Sequence, residues 1–525
     1  MVFREFRNGA LSLLTLALTS ACGNSGSASG ASAGGAGQGG GAGSNASAGS
    51  NASAGSSATL GGASSIGGGS STGGASAGGS GGASVSTGGA AGNANPTTAI
   101  GSGPALSPYL FGENYWNEPD IEALWPVVKA SGVKMIRFGG AGADDEQPSN
   151  QRYADVAAAI RAIGAEPYLQ ISRHFDATRA GQIVDFVNNT QKDHVVYWSI
   201  NNEPDIGANE PMMSVADTAN LVMTLASAMK AVDPTILIFA PELAYYDTAY
   251  LGPMLGGAND ITGKDANGRY YIDGVSFHSY AFGPTYTRDQ VVNGAAAGFA
   301  GSVSQMLTAL NSANQKNGRT GANALKWALT EFNITYSNPA DNSVTSFGVN
   351  SFLNGQFFAE EFGVTMANGG VSADPWSVHE SNGNRGTTDL GYLDGPLGST
   401  TPRSSYYHLQ MMAQNFSGRF APSKSSQALL RVVAAGDGTQ VSVMLMNEST
   451  DQTYQFGVRL DNGQLMQPQA VTITVDAALP AEFSGQIAPQ ATALLQFDAM
   501  GKLTKRIDYA LADAQNSIAP HVTMP

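Results

Sequence analysis

Short apolar runs alternate with amphipathic stretches from about residue 106 to residue 420. Between the runs, apolar residues recur at helical spacing, as in Ile121, Leu124 and Val128. The runs have the length of strands and cover residues 108–112, 133–138, 167–171, 195–200, 236–240, 272–277, 327–330 and 371–378. This order of elements is typical of βα units around a parallel sheet, and eight strands in about 300 residues predict a (β/α)8 barrel. A doubly wound open sheet is the alternative.

The period of the pattern changes to two after residue 420. Apolar side chains occupy every second position of residues 454–460 and 471–475, and a turn signal, Asp461-Asn462-Gly463, lies between these segments. Half-buried antiparallel strands have this pattern. We therefore predict a small β-sandwich over residues 421–500. A polar tail, residues 501–525, should follow and could contain one short helix near residues 509–514.

Residues 1–105 have a different kind of sequence. Arg4 and Arg7 precede an apolar run at residues 10–18, which is too short to span a bilayer but has the length of a signal-peptide core. Between Cys22 and Glu113 there is no charged residue, and Gly, Ser, Ala and Asn dominate. Such a segment cannot bury enough apolar surface to offset the entropy of ordering. We expect a signal peptide over residues 1–21 and a disordered linker over 22–105.

The signal segment ends in Leu18-Thr19-Ser20-Ala21-Cys22. This sequence resembles the lipobox of bacterial lipoproteins, which implies cleavage before Cys22 and a lipid on that residue. Thr19 departs from the lipobox pattern, where leucine usually stands three places before the cysteine. Secretion after cleavage at Ala21 is therefore the alternative. The expected location is the cell surface or outer membrane, with the lipid anchor as the only contact with a membrane, and otherwise the medium.

Charge and cysteine count remove several classes of function. The formal net charge is −15 and no basic stripe runs through the globular part, so we expect no nucleic-acid partner. The single cysteine excludes a disulfide framework and a thiolate zinc site. No histidine and carboxylate have convincing ligand spacing, so neither a metal nor a cofactor is expected. Asp144-Asp145-Glu146 could hold calcium, but a solvated loop is favoured. We expect a monomer.

Polar residues stand at the carboxyl ends of the predicted strands, where a barrel of this kind has its catalytic mouth. Two of them, Glu203 and Glu331, form a carboxylate pair although 331 − 203 = 128 positions separate them. Glycoside cleavage needs such a pair: one acid protonates the leaving oxygen, and one carboxylate attacks or directs water to the anomeric carbon. The candidate site residues at these strand ends are Arg137, Asn202, Glu203, His278, Tyr280, Glu331 and Trp376.

These residues resemble the active-site layout of clan A retaining glycoside hydrolases. The opening Leu106-Ser107-Pro108-Tyr109-Leu110-Phe111-Gly112 and the segment Leu329-Thr330-Glu331-Phe332-Asn333 are most similar to families 44, 39, 51 and 30. The resemblance covers residues 106–500, since several clan families append a β-sandwich to the barrel. It implies that Glu203 is the general acid/base and Glu331 the nucleophile of a double displacement.

The resemblance also implies roles for the neighbouring residues. Asn202 would bind the sugar 2-hydroxyl, Tyr280 would orient Glu331, and Arg137 would keep that carboxylate ionised. His278 and Trp376 would form part of the floor under the reacting sugar.

Aromatic residues on predicted rim loops could stack on flanking sugars. Glu242 could line the cleft or cap the next turn. His174 and His379 could contact sugar, but hydrogen-bonded rim histidines are favoured. The rim aromatics are Tyr115, Trp116, Tyr245 and Tyr246.

The expected function is retaining hydrolysis of an extracellular polysaccharide, with plant-wall β-glucan, xyloglucan or xylan as the preferred substrate class. An open cleft would favour endo cleavage, and a blind pocket would favour removal of terminal arabinofuranose or xylose. A carbohydrate-binding barrel without turnover is the second hypothesis. An adhesin in which the β-sandwich does the binding is the third.

Overall fold

The computed structural model of the protein describes residues 103–116, 121–207, 210–380, 388–460, 473–478 and 481–525. The predicted signal peptide, the candidate lipidation residue Cys22 and the predicted linker up to residue 102 lie outside these residues. Within the described part of the chain, no helix combines the length and the hydropathy that crossing a bilayer requires.

Eight parallel strands form one sheet in the order of the sequence. Each strand pairs with its successor, and a parallel bridge between Phe111 and Ala373 joins the two ends of the sheet. The sheet is therefore a barrel, which confirms the predicted (β/α)8 architecture over the open alternative. Its strands are β1 Gly112–Tyr115, β2 Met135–Phe138, β3 Glu166–Ile171, β4 Tyr197–Ile200, β5 Leu237–Phe239, β6 Gly274–Phe282, β7 Lys326–Thr335 and β8 Ala373–Pro375.

Most of the helices begin where a side chain accepts a free N–H group of the first turn. The residues that cap helices in this way are Ser149, Asp176, Ser214, Asp247, Thr287 and Ser351. A π-helical turn, Asp185–Thr190, continues α4. The α-helices of the described residues are α1 Trp125–Ser131, α2 Ala141–Glu146, α3 Asn150–Ala162, α4 Ala177–Val184, α5 Val215–Val232, α6 Thr248–Leu251, α7 Arg288–Lys316, α8 Phe352–Ala367, α9 Ser404–Asn415 and α10 Leu511–Gln515.

Side chains that alternate along the strands face two environments. The outward-facing ones, such as Trp198, join the apolar layer between strands and helices. The residues that fill the lower interior form a separate cluster, Met135, Tyr168, Phe239 and Ala328. Arg137, two positions after Met135, faces the same interior one layer higher and is fully buried. The polar side chains at the strand ends therefore lie above a layer of closely packed side chains in the barrel interior.

Two strands differ from the predicted positions. β1 begins where the predicted strand, residues 108–112, ends, and it contains the buried Asn114. The Nδ2 group of Asn114 donates to the carbonyl oxygen of Thr330 at 2.8 Å, so a polar residue occupies an interior position that the apolar pattern did not reveal. β8 is shorter than the predicted run at 371–378. It ends at Pro375, which has no N–H group to continue the ladder.

An all-β module follows the barrel, after a two-stranded ribbon of β9 Leu393–Asp394 and β10 Thr401–Pro402. The strands of the module are β11 Arg419–Phe420, β12 Ser423–Ser425, β13 Leu430–Gly436, β14 Gln440–Asn447, β15 Tyr454–Leu460, β16 Ile473–Val475, β17 Phe483–Ile487, β18 Ala491–Asp498, β19 Leu503–Ala510 and β20 His521–Thr523. One sheet has the order β11-β13-β14-β18-β19-β20 and the other β12-β16-β15-β17. Apolar side chains between them form a core of their own, separate from that of the barrel.

Residues 501–525 are not the polar tail that the sequence predicted. β19 and β20 extend the six-stranded sheet, and α10 lies close to the helix predicted near residues 509–514. Tyr509 is buried on the barrel side, with its ring 5.3 Å from that of Phe352. In β19 the buried Ile507 and Tyr509 alternate with Arg506 and Asp508, which pair at 2.7 Å. Two positions before Ile507, where the alternation would place an apolar residue, stands the charged Lys505, whose Nζ donates to Asn415 Oδ1 at 2.8 Å. The apolar alternation is therefore too short to indicate a strand in the sequence.

Helix α8 lies between the barrel and the module and carries buried charged groups at the contact. Arg431 Nε of β13 lies 3.3 Å from a Glu360 oxygen and 2.9 Å from a Glu448 oxygen. Neither carboxylate oxygen of Glu361 has a hydrogen-bond partner. Burial, and then the charge of a neighbouring carboxylate, raises the pKa of Glu360 and of Glu361 well above the ordinary value. We call Glu360, Glu361, Arg431 and Glu448 the interface cluster.

Candidate active site

The two glutamates that the sequence pairs do meet at the carboxyl ends of the strands. Glu203 follows β4 and Glu331 lies on β7, and one carboxylate oxygen of each is within 4.8 Å of the other. His278 on β6 stands between them. Its Nδ1 lies 3.0 Å from a Glu203 oxygen and 3.5 Å from a Glu331 oxygen. The barrel thus brings together residues that are remote in sequence.

The loops after β4 and β5 hold the backbone of Glu203 in an unusual conformation. Asn201, Glu203 and Glu242 have left-handed φ angles of 81°, 46° and 60°. Non-glycine residues rarely adopt this region, and they do so mostly where the surroundings fix them, often at functional sites. The Glu203 N–H donates to the Glu242 carbonyl at 2.8 Å, and the Ala244 N–H donates to Asp205 Oδ1 at 2.9 Å. These bonds join the two loops and fix where Glu203 stands.

Glu331 is almost completely buried and accepts two hydrogen bonds. Arg137 Nη1 donates to one oxygen at 2.8 Å, and the Tyr280 hydroxyl donates to the other at 2.8 Å. Burial raises the pKa of Glu331, and the charge of Glu203 adds to this effect. The charges of His278 and Arg137 and the bond from Tyr280 oppose it. Tyr280 and Arg137 therefore contact Glu331 as the sequence predicted.

His278 is a buried cation. Its Nε2 lies 3.3 Å from Glu242, so both ring nitrogens face carboxylates. Burial alone would lower the pKa of His278, but Glu331, Glu203 and Glu242 together raise it to about 10. The imidazole is therefore charged at neutral pH. The predicted role as a floor for the sugar omits this electrostatic function.

Glu242 lies inside the barrel, beneath the pair, and fits neither of the roles considered for it. It is fully buried, 3.4 Å from Arg137 Nη2, and accepts hydrogen bonds from Thr330 and, at 3.2 Å, from the Tyr168 hydroxyl. Burial alone would raise the pKa of Glu242, but Arg137, His278 and Thr330 outweigh it and lower the pKa to about 2. Glu242 is thus a permanent, dry counterion that supports Arg137 and His278.

Arg137 organises the polar layer from below. Its guanidinium is fully buried and donates to four side chains. The acceptors are Asn114 at 2.9 Å, Glu331 at 2.8 Å, Gln170 at 3.0 Å and Asn202 at 3.0 Å. Because Asn202 Oδ1 is used in this way, its Nδ2 group remains as the donor of that side chain. The sequence pattern did not identify Asn114 or Gln170, since neutral interior amides do not differ from turn residues in a single sequence.

Trp376 lies directly after β8, and its ring packs against Gly140, which has no side chain. A Cβ atom on Gly140 would stand 2.4 Å from the Trp376 ring, and the φ of 88° at this position also favours glycine. The Trp376 indole N–H donates to Glu380 at 2.9 Å, which fixes the ring. Trp116 follows β1 directly, and its indole N–H donates to the His379 carbonyl at 3.2 Å.

The four predicted rim aromatics divide into two kinds. Tyr245 is 51% exposed and could stack on a sugar, and Tyr246 is half-buried against Phe277. The prediction for Tyr115 is wrong: it is fully buried and packs on the Trp125 ring at 5.4 Å. β1 starts later than predicted, so Tyr115 faces the helices rather than the rim.

The two additional histidines also differ from each other. His379 is buried and its Nε2 lies 2.7 Å from the Gly395 carbonyl, which leaves no face for a sugar. His174 is exposed, and its Nε2 lies 3.2 Å from Glu210. Both are hydrogen-bonded, as favoured for rim histidines.

The acidic stretch after β2 is helix α2 and not the solvated loop that the sequence favoured. Asp144 is buried and pairs with Arg173, whose Nε lies 3.2 Å from Asp144 Oδ2. Asp145 and Glu146 are exposed.

Two groups within the described residues have ligand atoms close enough to surround a metal ion. In the first, His278 is a cation with both nitrogens directed at carboxylates, so it lacks the free lone pair that a metal needs. The second group lies at the rim, where exposed acidic groups are common without a bound ion. The two groups are Glu203, His278 and Glu331, and Asp145, His174 and Glu210.

Comparison with known proteins gives the fold. No family model matches the chain, and no curated protein matches it. Among solved structures, the thermostable GH51 α-L-arabinofuranosidase from Thermotoga petrophila is similar at 14% identity, with a TM-score of 0.55 over 76% of this chain and 98% of that one. The family 51 α-L-arabinofuranosidase from Bifidobacterium longum is similar at 13% identity, with a TM-score of 0.54 over 77% and 97%.

A bifunctional glucanase-xylanase from a metagenome library is also similar, at 13% identity and a TM-score of 0.52 over 76% of this chain and 98% of that one. At these identities the comparisons establish a shared fold, the barrel with its all-β module.

Proposed function

We propose that this protein is a glycoside hydrolase that cleaves an O-glycosidic bond with retention of configuration. The observation that carries the proposal is the pair Glu203 and Glu331, with one oxygen of each within 4.8 Å at the barrel mouth. Retaining enzymes hold their carboxyl groups about 5–5.5 Å apart, and inverting enzymes about 6.5–9.5 Å. The short separation supports retention. The fold shared with solved glycoside hydrolases adds independent support.

The reaction takes two displacements. First, Glu331 attacks the anomeric carbon while Glu203 donates its proton to the departing oxygen, so the glycosidic bond breaks and an ester to Glu331 forms. Next, Glu203 takes a proton from a water molecule as the water oxygen attacks the same carbon. The Glu331 carboxylate then leaves, and the two inversions restore the original configuration.

The charges around the pair suit this sequence of steps. In the free enzyme Arg137 and Tyr280 donate to Glu331 and favour its ionised form, which is the attacking form. When the ester forms, Glu331 loses its charge, but Glu242 remains as a counterion to Arg137 and His278. The cations therefore stay paired throughout, and the site does not need to reorganise.

Asn202 is placed to bind the reacting sugar. Arg137 holds its amide oxygen at 3.0 Å, which leaves the Nδ2 hydrogens for the sugar 2-hydroxyl. A bond to this hydroxyl strengthens in the transition state. Trp376 and Trp116 supply aromatic surface beside the reacting ring, and Tyr245 supplies it further out on the rim.

The proposed substrate is a plant-wall polysaccharide of the β-glucan, xyloglucan or xylan type, cleaved internally. Removal of terminal arabinofuranose or xylose is the second candidate, because two of the similar structures are α-L-arabinofuranosidases. The enzyme would act outside the cell, either attached through a lipid on Cys22 or secreted. Release of a Cys22→Ala variant into the medium, with loss of labelling by radioactive palmitate, would support the anchor.

The test is a panel of soluble polysaccharides and 4-nitrophenyl glycosides, assayed for new reducing ends and for nitrophenol. Glu203→Gln and Glu331→Gln should each lower kcat on the order of 10⁴-fold on natural substrates. Glu122→Gln, at an exposed carboxylate paired with Arg152, is the matched control and should retain activity. Full activity in both site variants would contradict the proposal.

A carbohydrate-binding barrel without turnover predicts a different result from the same panel. Calorimetry would then detect binding of a polysaccharide for which no reducing ends appear. We favour the enzyme because both carboxylates are present, with Glu331 2.8 Å from Arg137 Nη1 and Glu203 3.0 Å from His278 Nδ1.

A further inference from the structure

A depression in the protein surface lies at the amino ends of β1, β2 and β3, which is the end of the barrel opposite to the candidate active site. Pro108 and Tyr109 precede β1, Lys134 directly precedes β2, and Glu166 is the first residue of β3. Arg161 of α3 also lines it, and its volume is about 290 Å³. Ligand pockets have volumes of about 300–1,000 Å³, so this one has room for a small ligand. We call it the amino-end depression.

An aromatic side chain with a fixed position forms part of the wall. Tyr109 is half-buried against the side chains that fill the lower barrel interior. Its ring contacts the Tyr197 ring edge to face at 5.3 Å, and Tyr197 packs on Phe239 at 6.2 Å. The neighbouring Pro108 is exposed and has a rigid ring of its own. Because these contacts already order Tyr109, a ligand that packs on it does not have to pay for ordering the side chain.

The charged side chains of the wall form one ion pair and leave one cation uncommitted. Arg161 Nη2 lies 3.0 Å from Glu166 Oε1, and Arg161 Nη1 lies 3.2 Å from Glu166 Oε2, so the pair is bidentate. Lys134 is exposed, and its ammonium group contacts no acceptor among the described residues. It therefore offers all its N–H donors to a ligand.

These groups match the chemistry of a sugar ring. The C–H groups of a sugar pack on an aromatic surface such as Tyr109, while its hydroxyl groups accept from Lys134 and donate to the remaining lone pairs of Glu166. The wall carries two positive charges and one negative charge, which opposes a bound metal cation. Lys134 is the one uncommitted cation of the wall and is exposed to solvent, so it would hold an isolated phosphate ion only weakly.

We propose that the amino-end depression is a second, non-catalytic binding site for one sugar residue of a polysaccharide, which contacts Tyr109, Lys134 and Glu166. The choice of a sugar as the ligand rests on the proposed function, but the wall of the depression includes neither Glu203 nor Glu331. The two sites lie at opposite ends of the barrel and do not compete. Two weak contacts with one polymer act together, so this site would keep the enzyme on an insoluble polysaccharide between cleavage events.

The first experiment measures adsorption to insoluble xylan and to insoluble β-glucan. Glu331→Gln is the reference protein, because it should bind without cleaving. Addition of Tyr109→Leu and Lys134→Gln to this reference should raise the apparent Kd for the polysaccharide about tenfold. Leucine keeps an apolar side chain against the barrel interior, and Lys134 has no partner to lose. Lys129→Gln, at an exposed lysine on α1, is the matched control and should keep the Kd of the reference.

The second experiment uses the protein with both glutamates intact. It compares the rate on the insoluble polysaccharide at low polymer concentration with kcat/KM for the 4-nitrophenyl glycoside found active in the panel. In the Tyr109→Leu/Lys134→Gln variant the ratio of these two rates should fall about tenfold, because the small glycoside needs the barrel mouth alone. Cleavage of the glycoside also shows that the variant is folded.

An unchanged apparent Kd in the double variant would overturn the proposal, as would an unchanged ratio of rates. Displacement of the reference protein from the polysaccharide by millimolar inorganic phosphate would also overturn it, because Lys134 would then belong to a general anion site. If the unmodified protein cleaves nothing in the panel, the proposed function is contradicted. Adsorption that still depends on Tyr109 and Lys134 would support the second site even then, so the two failures are distinguishable.

Discussion

Two buried groups of carboxylates in this protein have similar composition and opposite character. At the barrel mouth, Arg137 and His278 accompany Glu203, Glu242 and Glu331, which we call the mouth cluster. In the interface cluster, Arg431 contacts Glu360 and Glu448, the charge of Arg288 also acts on Glu448, and neither carboxylate oxygen of Glu361 has a hydrogen-bond partner. In both clusters burial is the largest single contribution to the pKa of the fully buried acids, and it raises the pKa of each; these acids are Glu242, Glu331, Glu360 and Glu361.

The difference lies in the number and placement of the cations. In the mouth cluster two cations outweigh burial at Glu242, whose pKa falls to about 2. In the interface cluster the one cation that contacts Glu360 does not outweigh burial, and the pKa of Glu360 stays well above its ordinary value. Burial with two cations thus favours the ionised form of a carboxyl group in one region, and burial with one cation favours the neutral form in the other. Only the mouth cluster also opens to the surface, where Glu203 is partly exposed.

The largest effect is expected from removal of the central cation. Arg137→Met leaves Glu242 and Glu331 buried without their guanidinium partner, and it releases Asn114, Gln170 and Asn202. We expect a loss of about 3–5 kcal/mol in the free energy of unfolding, together with loss of activity. Arg431→Met in the interface cluster should cost less, because the raised pKa values of Glu360 and Glu448 favour the neutral forms of both partners. Urea unfolding of both variants measures this, and equal losses would break the comparison.

Replacing one glutamate by glutamine in each cluster should give a second, smaller difference in the free energy of unfolding. Glu242→Gln removes an ionised counterion and leaves Arg137 and His278 short of one negative charge, so we expect a loss of about 2–4 kcal/mol. Glu360→Gln replaces an acid whose raised pKa favours the neutral form by a neutral amide of the same shape, so it should cost less than about 1 kcal/mol below pH 4.5 and should stabilise the protein as the pH rises above that value. A larger loss for Glu360→Gln than for Glu242→Gln would mean that the charge assignments are reversed.

These two variants should also differ in their dependence on pH. The pKa of Glu242 is about 2 in the folded protein and ordinarily 4.5, so its stabilisation is present above pH 4.5 and disappears as the pH falls towards 2. The pKa of Glu360 is raised, so the unfolded chain releases this proton near pH 4.5 while the folded protein retains it. The unmodified protein therefore loses stability on this account as the pH rises above 4.5.

Urea unfolding of the unmodified protein and both variants from pH 3 to pH 8 tests these two opposite dependences of stability on pH. The unmodified protein should have a higher free energy of unfolding than Glu242→Gln, and this difference should decrease as the pH falls below 4.5. The free energy of unfolding of Glu360→Gln should rise relative to that of the unmodified protein as the pH rises above 4.5. Each change should amount to at most about 1.4 kcal/mol per pH unit. Parallel curves for all three proteins would contradict the account.

The smallest effect concerns Tyr280. Its hydroxyl donates to Glu331 at 2.8 Å and lowers the pKa of that carboxyl group. Tyr280→Phe should shift the acid limb of the kcat/KM profile to higher pH, because one hydrogen bond to the ionised form of Glu331 is lost. Tyr246→Phe, on the same rim, is the control. A lower kcat/KM without any shift of the limb would indicate that Tyr280 only packs.

Polar residues at the ends of apolar runs made the candidate site visible in the sequence. Arg137, Glu203, His278 and Glu331 each follow or end such a run, and a barrel brings all strand ends to one mouth. The role of Glu242 was not predictable, because its charge depends on Arg137 and His278 across the interior. These contacts require the closed barrel and are not present in the local pattern.

Errors in the predicted fold also have local physical causes. Tyr115 was placed on the rim because Asn114, an interior polar residue, disguised the start of β1. Strand β19 was taken for a tail because only Ile507 and Tyr509 continue the apolar alternation, and Lys505, which bonds to Asn415 in the folded structure, ends it. In both places, a polar side chain that finds its partner in the folded structure looked like a loop residue in the sequence.

The central claim is that Glu331 forms a covalent bond to the sugar while Glu203 acts as acid and base. A 2-deoxy-2-fluoro glycoside of the sugar released in the panel should trap the ester, because fluorine slows its hydrolysis. Mass spectrometry of the digested protein is then expected to find the sugar on the peptide that contains Glu331. A label on another residue, or a first product of inverted configuration in a parallel proton NMR measurement, would contradict the account.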